Sequence, residues 1–328
     1  MSLLFTSSPP KFSKKEVYNF LKKRYRLNGN LYHLDSDRDQ NFLLETSSKK
    51  YLIKIYNNFE ELKAIQIQRS MIEFIRRENF QYQIPKIFGK IKNIQRNDIN
   101  YFTSIFHFIE GKQLNNEKLN LNNYRDMGIF LGNFSRILSR FKHKRLSRIF
   151  KWDVRNIKFL KNKIQFIDGE GNRYLVNDII RRYNKITDKF KKRLRYSFIH
   201  NDVNDQNILI HPDGKIKGII DFGDVTYSYT LLEAAICMSY IGQDKKNPIK
   251  IWESFLEGYL SKYSLTQEEI MVLPTMISAR LCLSVIMCSW RKKIFPENNY
   301  LTISEKKSWG LLNFLKKRHK TNLFNNFI

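Results

Sequence analysis

Apolar spacing in the first third of the chain predicts a small lobe that combines helices with strands. Helical periodicity runs over Ser13–Arg24 and again over Glu60–Arg77. Short apolar or alternating runs predict strands at Leu31–Leu34, Asn41–Glu45, Tyr51–Tyr56, Lys86–Lys92 and Tyr101–Ile109. Glu110-Gly111 interrupts this pattern, so we predict a first domain over residues 1–110.

From Gly111 onward the apolar pattern is mostly helical. It predicts helices at Tyr124–Phe141, Leu175–Lys192, Leu231–Ile241, Ile249–Tyr263, Gln267–Cys288 and Lys306–Arg318. Short strands are predicted only at Tyr196–Ile199, Ile208–Ile210 and Lys217–Asp221. We therefore predict an α+β protein of two lobes, with a small mixed lobe over residues 1–110 and a larger, mainly helical lobe over 111–328.

The chain is strongly basic, and this charge raises the question of a nucleic-acid partner. It has 58 Lys and Arg against 31 Asp and Glu, a formal charge of +27. A large positive excess is typical of proteins that bind nucleic acid. The charge is spread along the chain, however, as in KFSKK, KHKR and KFKKRLR, and no nucleic-acid module accompanies it. We expect no nucleic-acid partner, and a basic nucleic-acid-binding protein remains an alternative.

Cysteine usage and hydropathy favour a cytoplasmic protein without a membrane span. The three cysteines, Cys237, Cys282 and Cys288, lie in apolar surroundings and form no CxxC pair. The apolar run Met271–Trp290 is interrupted by Arg280, which favours a buried helix over a membrane span. The opening MSLLFTSSPP lacks the basic start and long apolar stretch of a signal peptide. We therefore expect no membrane partner.

Two polar motifs in the second lobe predict a phosphoryl-transfer centre. Residues 200–207, HNDVNDQN, fit H-x-D-x-x-x-x-N, in which Asp202 would face the acceptor hydroxyl and Asn207 a metal. Asp221-Phe222-Gly223 follows after a strand, a turn and a strand, and Asp221 would be a second ligand of Mg²⁺. Each motif alone also fits a solvated turn, whereas both in this order indicate a kinase centre. For His200 we expect a hydrogen-bonding role within the loop.

The chain resembles the aminoglycoside phosphotransferase and choline kinase superfamily, and more narrowly its hydroxylysine-kinase-like branch. Leu34–Phe42, LDSDRDQNF, resembles the nucleotide loop L-x-S-x-R-D-Q-N-F of that branch, and Tyr51–Ile55 resembles the strand with the phosphate-binding lysine. Phe106–Gly111 resembles the hinge between the lobes. Trp152-Asp153 resembles a recurring W-D pair, and Pro296–Trp309 the closing motif. The resemblance implies a two-lobed protein-kinase-like fold and a small-molecule kinase.

The resemblance also implies a role for each matching residue. Asp202 would be the catalytic base, Asn207 and Asp221 would hold Mg²⁺, and Lys54 would contact the α- and β-phosphates of ATP or GTP. The loop that would cover the phosphates comprises Ser36, Asp39, Gln40, Asn41 and Phe42. A lysine on a strand of so Lys-rich a chain also fits an exposed surface position.

One departure from the kinase pattern concerns the partner of Lys54. Such kinases pair this lysine with a glutamate on the following helix. Counting back from Pro85 places Gln66 at that position, with Glu60 and Glu61 as substitutes if the register differs. A neutral amide would hold Lys54 less firmly than a carboxylate. A catalytically weak pseudokinase or interaction module is therefore a second alternative.

The resemblance implies a small-molecule hydroxyl acceptor, namely a hydroxylated amino acid such as 5-hydroxylysine, or an amino alcohol. Arg280 lies within an apolar helix, so it would either bind an acceptor carboxylate or form a buried ion pair with Glu233 or another acid. Further candidates for the acceptor site are Asp153, Asp224 and Tyr300.

A protein kinase is a third alternative, and the sequence argues against it. The chain lacks G-x-G-x-x-G, and no A-P-E segment follows the D-F-G motif. Residues 225–241 run into an apolar helix, which leaves no room for an activation loop. The acceptor is therefore expected to be a metabolite.

Overall fold

A computed structural model describes residues 3–114, 119–144, 150–297, 305–318 and 323–327. The chain divides into two compact units, the first made of residues 1–77 and 83–110 and the second of 78–82 and 111–328. The short segment 78–82 belongs with the second unit because Phe80 and Tyr82 pack against Phe130. A boundary predicted from periodicity alone places this segment in the first lobe.

The first unit is an antiparallel five-stranded sheet with two helices. The helices are α1 (Lys14–Tyr25) and α2 (Leu62–Arg77). The strands are β1 (Asn30–Leu34), β2 (Gln40–Glu45), β3 (Lys50–Ile55), β4 (Lys86–Arg96) and β5 (Ile99–His107), in the order β1-β2-β3-β5-β4. Ser13 and Glu16 form a capping box that begins α1. The central strand β3 buries Ile53 and Ile55 in the core and carries Lys54 opposite Asn41 of β2.

The second unit is mainly helical. Its helices are α3 (Leu121–Leu138), α4 (Glu170–Phe190), α5 (Leu232–Ile241), α6 (Pro248–Leu260), α7 (Gln267–Ile294) and α8 (Glu305–Lys316), with a 3-10 segment over Val154–Phe166. Its strands are β6 (Lys112–Gln113), β7 (Tyr196–Ile199), β8 (Ile208–Ile210), β9 (Ile216–Ile219) and β10 (Thr226–Tyr229). Strand β10 pairs with β7, and β8 lies between β6 and β9. The α+β class predicted from the sequence is confirmed.

Helix α7 is the long apolar helix of the second unit. Over the described residues it alone is long and apolar enough to cross a membrane by length and composition. Within its most apolar window, however, 78% of the residues are buried inside the protein. It packs against α4, α5, α8 and the 3-10 segment, as a core helix does. Its buried Arg280 is therefore set among protein side chains.

Candidate active site

The loop between β7 and β8 turns back on itself and holds Asp202 from several directions. The Asn207 Nδ2 donates to Asp202 Oδ2 at 2.8 Å and to the Asp202 carbonyl at 2.9 Å. Asn204 Nδ2 donates to Asp202 Oδ1 at 3.1 Å. The Asn204 Oδ1 in turn accepts the backbone N–H groups of Gln206 and Asn207, as an Asx turn does. The five-residue spacing of the motif thus brings Asp202 and Asn207 into direct contact.

His200 ties this loop to the strand that precedes Asp221. Its Nε2 lies 3.0 Å from the Ile220 carbonyl, and its Nδ1 lies 3.3 Å from the Asp202 backbone nitrogen. This pattern places the proton on Nε2 and the acceptor lone pair on Nδ1. Burial lowers the pKa of His200 to about 4, so the ring is neutral at pH 7. The hydrogen-bonding role expected of His200 is confirmed.

Glu233 supports the loop, whereas the sequence named it only as a possible ion-pair partner of Arg280. Its Oε2 accepts the His200 backbone N–H at 2.7 Å from the first turn of α5. Burial raises the pKa of Glu233 to about 8. The Glu233 carboxyl group also accepts a hydrogen bond from the backbone of Asn201, and Asn201 has a left-handed φ of 67°. The only sequence signal was an acid within an otherwise apolar helix.

Asp221 follows β9 in a left-handed conformation, with φ 58° and ψ 75°. This conformation is uncommon for a residue other than glycine and is frequent at functional sites. The carboxylate accepts the Gly223 N–H at 3.2 Å. The Ile220 N–H donates to the Asn207 carbonyl at 2.9 Å, which places Asp221 and Asn207 on adjoining segments. The structure therefore brings together both residues that the sequence assigns to a metal.

The chemistry of these two residues fits Mg²⁺. In the hydrogen bonds of the described residues, the Asn207 side chain donates through its nitrogen, and its oxygen is the atom that could bind a cation. Asp221 adds an exposed carboxylate. Mg²⁺ prefers such oxygens and is commonly held by one or two carboxylates together with substrate phosphates and water. The described residues contain no cluster of three His, Cys, Asp or Glu side chains, which a site of this kind does not require.

Arg280 lies against Asp202 inside the second unit. Its side chain is 1% exposed, and its Nη2 lies 3.4 Å from Asp202 Oδ1 and 3.1 Å from the Tyr240 hydroxyl. Its Nη1 lies 3.5 Å from the Trp152 carbonyl, and the guanidinium sits 5.0 Å from the Trp152 ring centroid. Of the two roles that the sequence left open for Arg280, the structure shows a buried ion pair, and its partner is Asp202, whereas Glu233 binds the loop backbone. Tyr240 was missed because a tyrosine in an apolar helix gives no signal of its own.

The remaining acceptor-site candidates differ in how they are placed. Asp224 is buried at 8% exposure and lies within electrostatic range of Arg280. Burial lowers the pKa of Arg280, but Tyr240, Asp202 and Asp224 together raise it by more. Tyr300 lies outside the described residues.

Asp153 serves the fold, which corrects its assignment to the acceptor site. It caps the 3-10 segment by accepting the Arg155 N–H at 3.0 Å, and its Oδ2 lies 2.6 Å from Arg155 Nη2. Its Oδ1 also accepts the Ser228 hydroxyl at 2.8 Å. The carboxylate is fully buried and engaged by these donors. Asp153 therefore joins the 3-10 segment to β10.

In the first unit, Lys54 is paired with an acid of the predicted nucleotide loop. Its Nζ lies 3.2 Å from Asp39 Oδ2, and both side chains are less than a tenth exposed. The Asp39 Oδ1 accepts the Asn57 N–H at 3.0 Å, which fixes the carboxylate. Lys54 is thus a buried cation, and the exposed surface position left open by the sequence is wrong. Ser36 lies in the half-exposed loop before Asp39.

Two side chains of the predicted loop serve the fold instead of facing a phosphate. The Gln40 amide accepts the Phe12 N–H and donates to the Phe12 carbonyl, both at 2.8 Å. Phe42 is 1% exposed and belongs to the hydrophobic core. Of these two residues, only the backbone therefore remains a candidate contact to the nucleotide. Asn41 lies between them on the opposite face, and its Oδ1 is buried without a hydrogen-bond partner among the described residues.

The position of Gln66 corrects the expected departure from the kinase pattern. Gln66 lies on the exposed side of α2, and the glutamine that this helix buries is Gln68, which accepts the Tyr56 hydroxyl at 2.8 Å. Burial raises the pKa of Tyr56, and Lys54, Asp39 and Glu60 also act on it electrostatically. Glu60, the acid just before α2, is 9% exposed, and both Glu60 and Lys54 act electrostatically on Tyr56. Gln66 therefore gives no support to the pseudokinase alternative.

The chain is similar to known proteins over most of its length. Residues 33–272 match the model of the phosphotransferase enzyme family. The chain is 24% identical over 320 residues to the hydroxylysine kinase of Danio rerio, covering 92% of this chain and 90% of that protein. It is 26% identical over 306 residues to the hydroxylysine kinase of Mus musculus, covering 84% of this chain and 81% of that protein.

Solved structures share the fold. A microcompartment-associated aminopropanol kinase superposes with a TM-score of 0.72 at 16% identity, covering 91% of this chain and 94% of the other. An amicoumacin kinase solved with AMP-PNP and Ca²⁺ superposes with a TM-score of 0.69 at 14% identity, covering 96% of both chains. The two-lobed, protein-kinase-like fold predicted from the sequence is confirmed.

Proposed function

Since the chain belongs to the phosphotransferase enzyme family, we propose that it transfers the γ-phosphoryl group of a nucleoside triphosphate to a hydroxyl group of a small hydroxylated amino acid or amino alcohol. The observation that carries this proposal is the contact of Asp202 with Asn207, which joins a carboxylate base to a metal ligand within one loop. Relatives of similar length are hydroxylysine kinases, so 5-hydroxylysine is the first acceptor to test.

Asp202 is the general base of the proposed reaction. The acceptor oxygen forms a bond to the γ-phosphorus while the bond from that phosphorus to the β,γ-bridging oxygen breaks. The nucleoside diphosphate leaves with the electrons of that bond, and the hydroxyl proton passes to Asp202. Asn204, Asn207 and Arg280 hold the carboxylate in place for this transfer. Fixed geometry is the main contribution a protein makes to phosphoryl transfer.

Asn207 and Asp221 are the proposed ligands of Mg²⁺, which neutralises charge on the donor phosphates when it is bound. Lys54 is the proposed contact to the α- and β-phosphates of ATP or GTP. Its ammonium is held by Asp39 in a buried position, which keeps its charge oriented. Each of these assignments rests on the chemistry of the side chain and its place in the motif.

Arg280, in addition to holding Asp202, and Asp224 are the proposed contacts to a zwitterionic acceptor. A hydroxylated amino acid presents a carboxylate and an ammonium group, and these two residues offer the complementary charges. They lie within electrostatic range of one another and of Asp202. Trp152 adds an aromatic ring beside the guanidinium. An amino alcohol has no carboxylate and would use only the acidic part of this arrangement.

The decisive experiment is a screen of hydroxylated amino acids and amino alcohols with Mg²⁺ and with ATP or GTP, in which release of nucleoside diphosphate is measured. We expect turnover with 5-hydroxylysine or a close analogue. Asp202→Ala should lower kcat by about 10²- to 10⁴-fold, because the general base is lost. Nucleotide affinity should stay within a few-fold of wild type. A variant that keeps normal turnover would remove Asp202 from this role.

A further inference from the structure

The segment before α1 packs against the predicted nucleotide loop of the first unit. Residues 3–12, here called the N-terminal strap, contain one short 3-10 turn, Leu3–Phe5, and are otherwise irregular. Leu4, Phe5 and Phe12 are nevertheless only 2%, 1% and 4% exposed. An irregular segment lacks the hydrogen bonds of a helix or sheet, so its contacts with other segments keep it in place.

Gln40 joins the strap to the start of β2. Its side-chain amide accepts the Phe12 N–H and donates to the Phe12 carbonyl, both at 2.8 Å, as a neighbouring strand would. Gln40 is 7% exposed and directly follows Asp39. The strap therefore fixes the backbone on one side of Asp39.

Asn57 joins the strap to the other side of Asp39. This fully buried residue lies just after β3, and its Oδ1 accepts the Ser7 hydroxyl at 3.1 Å. Its Nδ2 donates to the carbonyls of Ser8 and Arg38, each at 3.3 Å. Its backbone N–H donates to Asp39 Oδ1 at 3.0 Å. One asparagine thus contacts the strap at two residues and the loop at two residues.

These contacts extend to the lysine assigned to the donor phosphates. The Asp39 Oδ2 lies 3.2 Å from the Lys54 Nζ, while Oδ1 is held by Asn57. The Arg38 guanidinium also lies 5.2 Å from the centroid of the Phe5 ring of the strap. A carboxylate held at both oxygens cannot turn freely, so the ammonium that it binds is held in place as well. Direct contacts therefore connect the strap, the loop and Lys54.

We propose that the N-terminal strap is part of the nucleotide-binding site and that Asn57 is a positioning residue, which keeps the loop Ser36–Phe42 and Lys54 arranged for the phosphates of a nucleoside triphosphate. The proposal rests on the proposed function, which assigns that loop and that lysine to the nucleotide. A loop that is already ordered loses less conformational entropy when a ligand binds. Loss of the strap contacts should therefore weaken nucleotide binding and leave the KM for the acceptor unchanged.

Amide hydrogen exchange and direct nucleotide binding test the strap in the full chain. Asn57→Ala removes the side-chain contacts and keeps the backbone N–H that binds Asp39. Without nucleotide, exchange of the amides at 36–42 should rise at least several-fold, whereas exchange in β4 and β5 should stay as in wild type. The Kd for AMP-PNP with Mg²⁺, measured by calorimetry, should rise about 5- to 30-fold, the effect of having to order about one residue on binding.

Asn58→Ala is the matched control, because Asn58 is the next residue and is half-exposed. This variant should leave both the exchange at 36–42 and the Kd for AMP-PNP unchanged. Ser7→Ala removes a single hydrogen bond between the strap and Asn57, so it should raise the same exchange about 2- to 10-fold. Ser7→Thr keeps the hydroxyl and should retain wild-type values.

The results distinguish the strap from the proposed function. Unchanged exchange at 36–42 in Asn57→Ala and Ser7→Ala would overturn the strap, and so would equal acceleration throughout the first unit, which indicates a purely structural role. Faster exchange with an unchanged Kd for AMP-PNP would overturn the positioning role of Asn57. If the wild-type protein binds no nucleotide, the proposed function fails, whereas the exchange experiment still decides whether the strap orders the loop. Ser7→Ala decides the question if Asn57→Ala does not fold.

Discussion

Arg280 illustrates, at the scale of single residues, what a sequence reveals about a buried charge. An arginine inside an apolar helix must find an anion, because an unpaired buried charge is strongly unfavourable. That requirement is visible in the sequence, but the identity of the partner is not. Asp202 is 78 residues away along the chain and meets Arg280 only through packing of the catalytic loop against α7. Glu233, the acid named from the sequence, is used by the loop backbone.

We predict that Arg280→Lys lowers kcat by about 10- to 100-fold, the effect of losing a charge-assisted hydrogen bond of ~1.5–3 kcal/mol. Lysine keeps the charge but cannot reach Asp202, the Tyr240 hydroxyl and the Trp152 carbonyl together. The KM for the nucleotide should change little, and steady-state kinetics with each substrate varied in turn separates the two effects.

Arg193→Lys is the matched control for this substitution. Arg193 forms an exposed ion pair with Glu268 in the same unit, at 3.0 Å. Exposed pairs contribute about 0–1 kcal/mol, so this variant should retain wild-type kinetics. Equal losses in both variants would show that the effect of Arg280→Lys is not specific to the catalytic loop.

Individual site residues show the limits of reasoning from sequence. The motif spacing was enough to predict that Asp202 and Asn207 share one catalytic loop, and the structure adds that their side chains are in direct contact. Asp153 and Gln40 were misassigned because their partners, Ser228 and Phe12, are distant in sequence. A polar residue in a conspicuous motif can serve either the chemistry or the fold, and only its long-range donors and acceptors distinguish the two.

Among elements, the pair of helices α3 and α6 depends on glycine for its close approach. A Cβ atom on Gly128 would lie 1.9 Å from the Phe255 carbonyl oxygen, and one on Gly258 would lie 2.0 Å from the Arg125 carbonyl oxygen. Both clashes are with backbone, so neither is relieved by rotating a side chain. The two helices must separate to admit a methyl group at either position.

Gly128→Ala should therefore destabilise the protein by about 1–3 kcal/mol or more, the usual cost of overpacking a close contact. Gly310→Ala is the control, because Gly310 lies within α8 and a Cβ there meets nothing within 4 Å. That variant should stabilise the protein by about 0.5–1 kcal/mol through the higher helix propensity of alanine. Urea unfolding measures both. A neutral Gly128→Ala would mean that the helices can move apart without loss.

Elements held by long-range contacts were the ones that the sequence did not predict. Helices α5 to α7 have strong apolar signals and were predicted from periodicity. The 3-10 segment Val154–Phe166 and strand β10 were not, since the charged network around Asp153 joins them across 75 residues. Arg155 extends this network by donating to the Tyr227 carbonyl on β10. The secondary-structure propensity of a short segment gives no information on hydrogen bonds to residues so distant in the sequence.

For the whole molecule, burial of ionisable groups under the catalytic loop determines how stability changes with pH. His200 has its pKa lowered from 6.5 to about 4, so its contribution to stability is present above pH 6.5 and is lost as pH falls through 4. Glu233 has its pKa raised from 4.5 to about 8, so its contribution is present below pH 4.5 and is lost as pH rises through 8. The two effects oppose each other between pH 4.5 and 6.5.

We therefore predict that the free energy of unfolding falls between pH 6.5 and 8, where Glu233 acts without opposition from His200, with a slope of at most ~1.4 kcal/mol per pH unit from this group. Glu233→Gln should flatten that fall, because a neutral amide can still accept the His200 N–H through its oxygen but cannot ionise. Urea unfolding at half-unit steps of pH measures the slope in both proteins. An unchanged slope in the variant would assign the fall to other ionisable groups. A loss of kinase turnover by the variant at pH 6.5 would show that the carboxyl group itself is needed to hold His200 and Asp202 in place.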